Sequence, residues 1–184
     1  PHRYSNSCYD QDGEWWYIEL TNENFEGYDY EGDLTPPIGV YQGGIVFYVD
    51  ETGKHGLVAA MEDLTEGAND PNGWGYNGYE WGCYGKEIGT GYENTLDIVA
   101  GCSETPIAAS EALAYESEGY TDWYLPSVYE LNEMYNTIGY GVGYLGNIGG
   151  FVPDYYWSST EHNDNAAWPF GFNNYMKDTW SKNN

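Results

Sequence analysis

Basic residues are scarce in this chain of 184 residues, which has 5 Lys plus Arg against 30 Asp plus Glu and a formal net charge of -25 at pH 7. Proteins that bind DNA or RNA use Lys and Arg to displace counterions from phosphates, and anionic membranes attract the same side chains. The chain also lacks any apolar run of the ~18 residues that a membrane-spanning helix needs. The first shortage excludes nucleic acid as the main partner, and the second excludes insertion into a membrane.

Cysteine is limited to Cys8, Cys83 and Cys102. A bridge between Cys83 and Cys102 would close a loop of about 20 residues and stabilise the fold by about 3 kcal/mol. We therefore predict this disulfide, which implies an oxidising, extracellular compartment. Two alternatives stay open: a pair of buried thiols, or a metal site, although no Cys-x-x-Cys or His-Cys spacing accompanies the two residues. Cys8 has no assigned partner.

Catalytic motifs are missing as well. His2, His55 and His162 are scattered, no Ser lies in a Gly-x-Ser-x-Gly elbow, and no Cys is paired with a His and an orienting carboxylate. A carboxylate pair of the glycosidase type stays open as an alternative, because acidic residues occur throughout the chain. We expect a protein that is not an enzyme and that has no cofactor.

Aromatic residues, by contrast, are abundant, with 8 Trp, 21 Tyr and 5 Phe. Together with 41% hydrophobic residues, they predict a folded rather than a disordered chain. This number of aromatic side chains exceeds what the core of a small domain usually holds. Many of the Tyr and Trp side chains are therefore expected near the surface. Surface Tyr and Trp with Asn, Ser and Gly are typical of a recognition surface.

The chain divides at the double proline Pro36-Pro37. Residues 1–37 are rich in Tyr, Glu, Asp and Asn, and they predict an acidic N-terminal arm or small β-element with one strand candidate at residues 14–20. Residues 38–184 are predicted to form the main domain.

The main domain begins with a predicted β-hairpin, whose strands at residues 45–49 and 57–60 flank a loop that contains glycine. Residues 62–91 are dense in Gly, Asn and Trp without periodicity. This composition indicates a long ordered loop, which the predicted disulfide would hold. Further elements are predicted as a short helix at 94–100 and strands at 155–159, 167–172 and 175–180.

Two main helices are predicted after the long loop. Thr105 is expected to cap a helix over residues 106–116, with proline at its first position. Ser127 and Glu130 form a capping box for the second helix, and Gly139 closes it. The apolar face of the second helix consists of Val128, Leu131, Met134, Tyr135 and Ile138.

Several separated motifs occur in one order along the main domain. They are Tyr-Gln-Gly-Gly-Ile-Val-Phe-Tyr at 41–48, Trp-Gly-Cys at 81–83, Asp-Trp-Tyr-Leu-Pro-Ser at 122–127 leading into Glu130-Leu131, Gly-Phe at 150–151 and Tyr-Trp-Ser-Ser-Thr-Glu at 156–161. In this combination the chain resembles the C-terminal-domain family of the Legionella collagen-like adhesin, a C-type-lectin-like group whose relatives include diversified variable proteins.

The resemblance implies an α+β fold of the C-type-lectin-like kind, with two main helices, β-hairpins and long ordered loops. It implies a non-enzymatic binding role on bacterial surfaces or phage virions. It also implies a final strand after Asn184 that this sequence does not contain. Sulfated polysaccharides are not expected as ligands, because only Lys177 and Lys182 lie near the predicted site. Calcium-dependent sugar binding is not expected either, because Trp157-Ser158-Ser159 stands where the calcium lectins have their motifs.

The segment after the strand at 155–159 is the predicted ligand-binding face. Short polar side chains there supply hydrogen bonds, while aromatic planes stack on a sugar or a protein anchor. The alternative is that Trp168 and Phe170 are core strand residues and that the Asn cluster is turn chemistry. The candidate binding residues are Glu161, His162, Asn163, Asp164, Asn165, Trp168, Phe170, Asn173, Asn174, Tyr175, Lys177 and Trp180.

Two carboxylate pairs are weak candidates for Ca²⁺, which prefers oxygen ligands. They are Glu161 with Asp164, and Asp50 with Glu51. Neither pair matches the residue spacing of an EF-hand calcium loop, and solvated turn carboxylates are the alternative interpretation.

We expect an extracellular binding domain on a virion, as in tail-fibre attachment, or on a bacterial cell surface, with a host-surface glycan or protein as its partner. The alternative is a structural subunit, a decoration or filament protein. Such a subunit would form a homo-oligomer or bind its neighbours through residues 1–37 and its aromatic surface. Deleting residues 1–37 would leave ligand binding intact in the first case and abolish assembly in the second.

Overall fold

The structure is a computed structural model that describes residues 40–53, 55–64, 74, 80–141, 146–172 and 179–182. The predicted N-terminal arm of residues 1–37, with its strand candidate and Cys8, lies outside the described residues.

Three helices and two antiparallel sheets of three strands each make up the described part of the chain. The sheets, with strands in chain order, are β1 (Val40–Tyr41), β2 (Gly44–Val49) and β3 (Gly56–Ala60), then β4 (Tyr155–Asn163), β5 (Ala166–Gly171) and β6 (Trp180–Ser181). The helices between them are α1 (Gly91–Gly101), α2 (Ala108–Ala114) and α3 (Val128–Thr137). This mixture confirms the predicted α+β class.

The predicted hairpin is confirmed as β2 and β3, in which Val46 pairs with Val58. The side chain of Asp50 closes the turn, because its Oδ1 accepts from Thr52 N at 3.1 Å and from Thr52 Oγ1 at 2.7 Å. Gly53 follows with a φ of +69°, a left-handed conformation that glycine adopts without steric cost. Asp50 is therefore a turn carboxylate, in line with the alternative to a calcium site.

Helix α3 begins as the sequence predicts. Ser127 Oγ accepts from Glu130 N at 3.3 Å, and Glu130 Oε2 accepts from Ser127 N at 2.6 Å, which completes the capping box. Val128, Leu131 and Met134 are buried against the β2–β3 hairpin and the second sheet. The apolar stripe of this helix therefore lies on the core, as predicted.

The other two helices differ from the prediction. α1, expected as a short helix, is the longest at 11 residues, while α2, expected as a main helix, has 7. α2 begins at Ala108 instead of at Pro106, because Ser110 rather than Thr105 makes the capping bonds. Ser110 Oγ accepts from Ile107 N and donates to Ile107 O, both at 2.9 Å. α1 begins at Gly91, three residues earlier than predicted.

Two hydrophobic clusters form the core of the described part of the chain. The first joins the β2–β3 hairpin, α3 and the second sheet, and Phe47, Ile138, Phe170 and Phe172 are among its buried members. The second lies around α1 and α2 and includes Trp74, which is fully buried. α1 packs on both α2 and β4, so the second cluster continues to the sheet that carries the predicted binding face.

The structure does not show the predicted disulfide. Cys83 and Cys102 are both buried in the second cluster, and no bond joins them. Cys83 Sγ lies 3.7 Å from Trp81 O, while Cys102 ends α1 with its amide donating to Ile98 O at 2.8 Å. A buried thiol packs as a small apolar side chain, so both residues fit the core without a bridge. The structure therefore does not support the oxidising compartment that the disulfide would imply.

Candidate functional site

The predicted binding face is built on the hairpin of β4 and β5, where Tyr156 pairs with Phe170 and Glu161 with Ala167. The register shifts between Trp157 and Glu161 and again between Glu161 and Asn163. Such bulges redirect side chains relative to a regular strand, so neighbouring residues on β4 need not alternate between core and solvent.

Glu161 points into the protein and is not part of the surface. Its Oε2 accepts from Trp81 N at 3.1 Å and from Gly82 N at 3.0 Å, while its Oε1 forms an ion pair with Lys182 Nζ. Both charged side chains are fully buried. The prediction that Glu161 contacts a ligand is therefore corrected, because its oxygens are committed to these interior partners.

The Lys182 ammonium also lies against two indole rings. Its Nζ is 4.8 Å from the ring centroid of Trp74 and 4.8 Å from that of Trp81. These rings stack on each other with centroids 5.4 Å apart. Trp74 Nε1 donates to Ser158 O on β4 at 2.6 Å. The segment predicted to be held by a disulfide is thus held at these points by hydrogen bonds, stacking and a buried ion pair.

Phe170 is also a core residue. Its side chain is fully buried in the first cluster, with ring centroids 5.8 Å from Tyr135 and 5.5 Å from Phe172. It cannot contact a ligand from this position. For Phe170, the alternative interpretation as a core strand residue is therefore correct.

The turn between β4 and β5 carries the polar part of the face. Asn163 Oδ1 accepts from Asn165 N at 2.8 Å, and Asp164 Oδ1 accepts from Asn165 Nδ2 at 2.5 Å. Asn163 Nδ2 lies 2.8 Å from His162 Nδ1. His162, Asp164 and Asn165 are exposed, and Asn163 is half-buried. These hydrogen bonds stabilise the turn, as the alternative interpretation of the Asn cluster predicted. The same side chains also present several donors and acceptors to solvent.

Trp168 lies beside this turn and is half-buried. The His162 ring meets it edge to face at 5.0 Å between centroids, and Lys86 Nζ lies 4.9 Å from the centre of the indole. Lys86 is not among the predicted binding residues, because it comes from the long loop and no local pattern connects it with β5. The structure thus brings together His162, Asn163, Asp164, Asn165, Trp168 and Lys86, which we call the hairpin face.

The remaining predicted residues follow β5. Asn173, Asn174, Tyr175 and Lys177 lie outside the described residues. Trp180 begins β6, where its backbone pairs with Ala167 of β5.

Within the described residues, no group of three or more His, Cys, Asp and Glu could hold a metal ion. Glu161 and Asp164 do not form the candidate calcium site, because Glu161 is buried against Lys182 while Asp164 is exposed on the turn.

A cavity of about 540 Å³ lies apart from the hairpin face, and no sequence pattern predicted it. Its lining comes from β3, α2, α3, the segment before α3 and the beginning of β4. Tyr124, one of the lining residues, donates its hydroxyl to the buried Glu130 at 3.2 Å. Burial raises the pKa of Glu130, while hydrogen bonds from Ser127 and Gly89 oppose part of that rise.

Comparison with protein-family models and with curated proteins finds no match for this chain. The resemblance to the adhesin family therefore stays a prediction. Among the described residues, no helix has the length and apolar character to span a bilayer.

Proposed function

We propose that this protein is a non-enzymatic, surface-displayed ligand-binding domain of the C-type-lectin-like kind. In this proposal it attaches a phage virion or tail fibre, or a bacterial cell, to a host-surface glycan or protein. The hairpin face is the binding site. The location on a virion or cell surface rests on the family resemblance alone.

The observation that carries the proposal is the environment of Trp168. A half-exposed indole stands next to the imidazole of His162 and the ammonium of Lys86, beside a turn of exposed polar side chains. An aromatic plane flanked by hydrogen-bonding groups suits the apolar face of a sugar ring or an aromatic anchor of a protein. An indole side chain such as that of Trp168 loses little conformational freedom on binding.

The interior beneath the hairpin supports this role. Glu161 and Lys182 connect β4 to the end of β6, and the amides of Trp81 and Gly82 connect β4 to the long loop. Lys86 belongs to that same loop, and Ser127 Oγ donates to Lys86 O at 2.9 Å. These contacts hold the backbone around the face in one conformation, which lowers the ordering cost of binding.

A screen of the full chain against glycan arrays and host cell surfaces tests the proposal, with and without a calcium chelator. We expect binding to a specific ligand, insensitivity to the chelator and loss of binding in Trp168→Ala. Tyr140→Ala is the matched control, because Tyr140 is an exposed aromatic residue, 42% accessible, whose hydroxyl donates to Phe151 O and which is not part of the hairpin face. Absence of any ligand, with concentration-dependent self-association of the full chain, would instead favour a structural subunit.

A further inference from the structure

The cavity of about 540 Å³ has the size of a small-molecule site, since such sites span about 300–1,000 Å³. Its most buried lining side chains form an apolar floor, and exposed ones such as Asp63, Leu64 and Val152 mark its rim. The floor consists of Ala59, Ala112, Leu125, Leu131, Met134 and Phe151.

Aromatic rings form much of the wall above this floor. Trp123 meets Tyr115 edge to face, with centroids 5.2 Å apart. Trp123 Nε1 donates to Tyr120 O at 3.0 Å, so the polar atom of the indole has its partner within the protein. Tyr155, Tyr156 and Trp157 line the cavity from β4. A ring wall of this kind binds apolar bodies, and its π-faces attract cations.

The charged residues in the described part of the cavity lining are all acidic. Asp63, Glu111 and Asp154 line it, and none of its described lining residues is Lys, Arg or His. Asp63 is held in position, because Tyr156 donates its hydroxyl to Asp63 Oδ2 at 3.1 Å and accepts from Val152 N at 3.0 Å. Burial raises the pKa of Asp63, although the hydrogen bond from Tyr156 opposes that rise.

We propose that this cavity binds a small organic cation, namely an ammonium group on an aromatic or aliphatic body, independently of the hairpin face. The body occupies the apolar floor, and the ammonium group lies at the rim among Asp63, Glu111, Asp154 and the aromatic wall. The lining repels an anion. A neutral molecule of the same shape gains the floor contacts without the charge interactions. The net charge of -25 raises the local concentration of cations around the whole protein.

Three probes of similar size and different charge test the proposal by calorimetric titration of the full chain. They are 2-phenylethylammonium, the neutral 2-phenylethanol and the anion phenylacetate. We expect the ammonium to bind with a dissociation constant of about 1 mM or tighter, and the alcohol to bind about tenfold more weakly. Phenylacetate should show no binding. Added salt should weaken the ammonium complex and leave the alcohol complex unchanged.

Substitutions locate the binding site within the protein. Asp63→Asn combined with Glu111→Gln should weaken ammonium binding about tenfold while leaving 2-phenylethanol unaffected. Glu104→Gln, an exposed carboxylate outside the lining, is the matched control, and Trp168→Ala should also leave the affinity unchanged. Thermal unfolding checks that each variant is folded. Asp63→Asn alone is a second variant. Because its side chain lies at the exposed rim, this substitution should leave the protein folded.

Two outcomes would overturn the proposal. The first is equal affinity for the ammonium and the alcohol, and the second is unchanged ammonium binding in folded Asp63→Asn/Glu111→Gln.

Discussion

The Glu161 carboxylate and the Lys182 ammonium form an ion pair that is completely buried beneath the β4–β5 hairpin. The indole rings of Trp74 and Trp81 lie against the ammonium, and two backbone amides donate to the carboxylate. Three segments that are distant along the chain, namely the long loop, β4 and the end of β6, meet at this pair. It therefore determines the position of the hairpin on which the proposed binding face lies.

Lys182→Met should lower the free energy of unfolding by about 3–5 kcal/mol, because it leaves the Glu161 charge buried without its partner. Chemical denaturation measures this loss. Lys86→Met is the matched control, since its ammonium lies over the half-buried Trp168, and it should cost about 1 kcal/mol or less. Equal small losses in both variants would mean that the buried pair contributes little to stability.

Gly91→Ala separates helix propensity from packing at the start of α1. Propensity alone would make alanine more stable by about 1 kcal/mol. A Cβ on Gly91, however, would overlap with the Glu130 carboxylate and come within 2.8 Å of Ser127 N. We expect a loss of about 1–3 kcal/mol in unfolding experiments, as is usual for overpacking. A gain in stability would show that Glu130 and its capping box do not approach Gly91 this closely.

Cys83 and Cys102 should behave as two buried thiols. Iodoacetamide should label both only after the protein has unfolded, and a reductant should leave the thermal midpoint unchanged, because no covalent bond is lost. Peptide mass spectrometry under non-reducing conditions reads the result directly. Detection of a cross-linked peptide that contains both residues would restore the predicted disulfide.

Stability should fall as the pH rises out of the acidic range. Burial raises the pKa values of Glu130, Glu133 and Asp63. An acid with a raised pKa in the folded state stabilises the fold fully below its unfolded pKa, and this contribution is lost as the pH rises through the folded pKa. We therefore expect the thermal midpoint to fall from about pH 4.5 towards neutrality.

The same pH profile in Glu133→Gln isolates one of these groups. Burial alone raises the pKa of Glu133, so the variant removes one titration and its midpoint should fall less with pH. A variant profile as steep as that of the wild type, or a wild-type midpoint that rises towards neutrality, would show that burial of these acids does not control the pH dependence.

Local signals predicted the elements that local interactions create. The Asp50 turn and the Ser127–Glu130 capping box each lie within a few residues, so the β2–β3 hairpin and α3 could be predicted from the sequence. α1 could not be bounded in this way. Its first residue is a glycine that the sequence pattern assigns to a loop, and the reason for glycine there is the approach of Glu130 from α3.

The interior of the candidate site depended on contacts between distant segments. The sequence placed Glu161 just after a strand predicted to end at residue 159, whereas β4 continues to Asn163. It could not show that Lys182 and the Trp81 amide face Glu161 from inside. Alternation along β4 is interrupted by bulges, so periodicity did not separate buried from exposed residues. Likewise, Lys86 reaches Trp168 from the long loop, where no periodic pattern indicates which side chains approach the hairpin.

The affinity of Trp168→Ala for the ligand found in the binding screen decides whether the hairpin face is the binding site. Surface plasmon resonance on wild type, Trp168→Ala and Tyr140→Ala gives the comparison, with thermal unfolding to confirm that each is folded. We predict a loss of at least about tenfold in Trp168→Ala, because a central aromatic residue of a binding face contributes much of its energy, and no change in Tyr140→Ala. Equal affinity of all three proteins would contradict a binding site on the hairpin face.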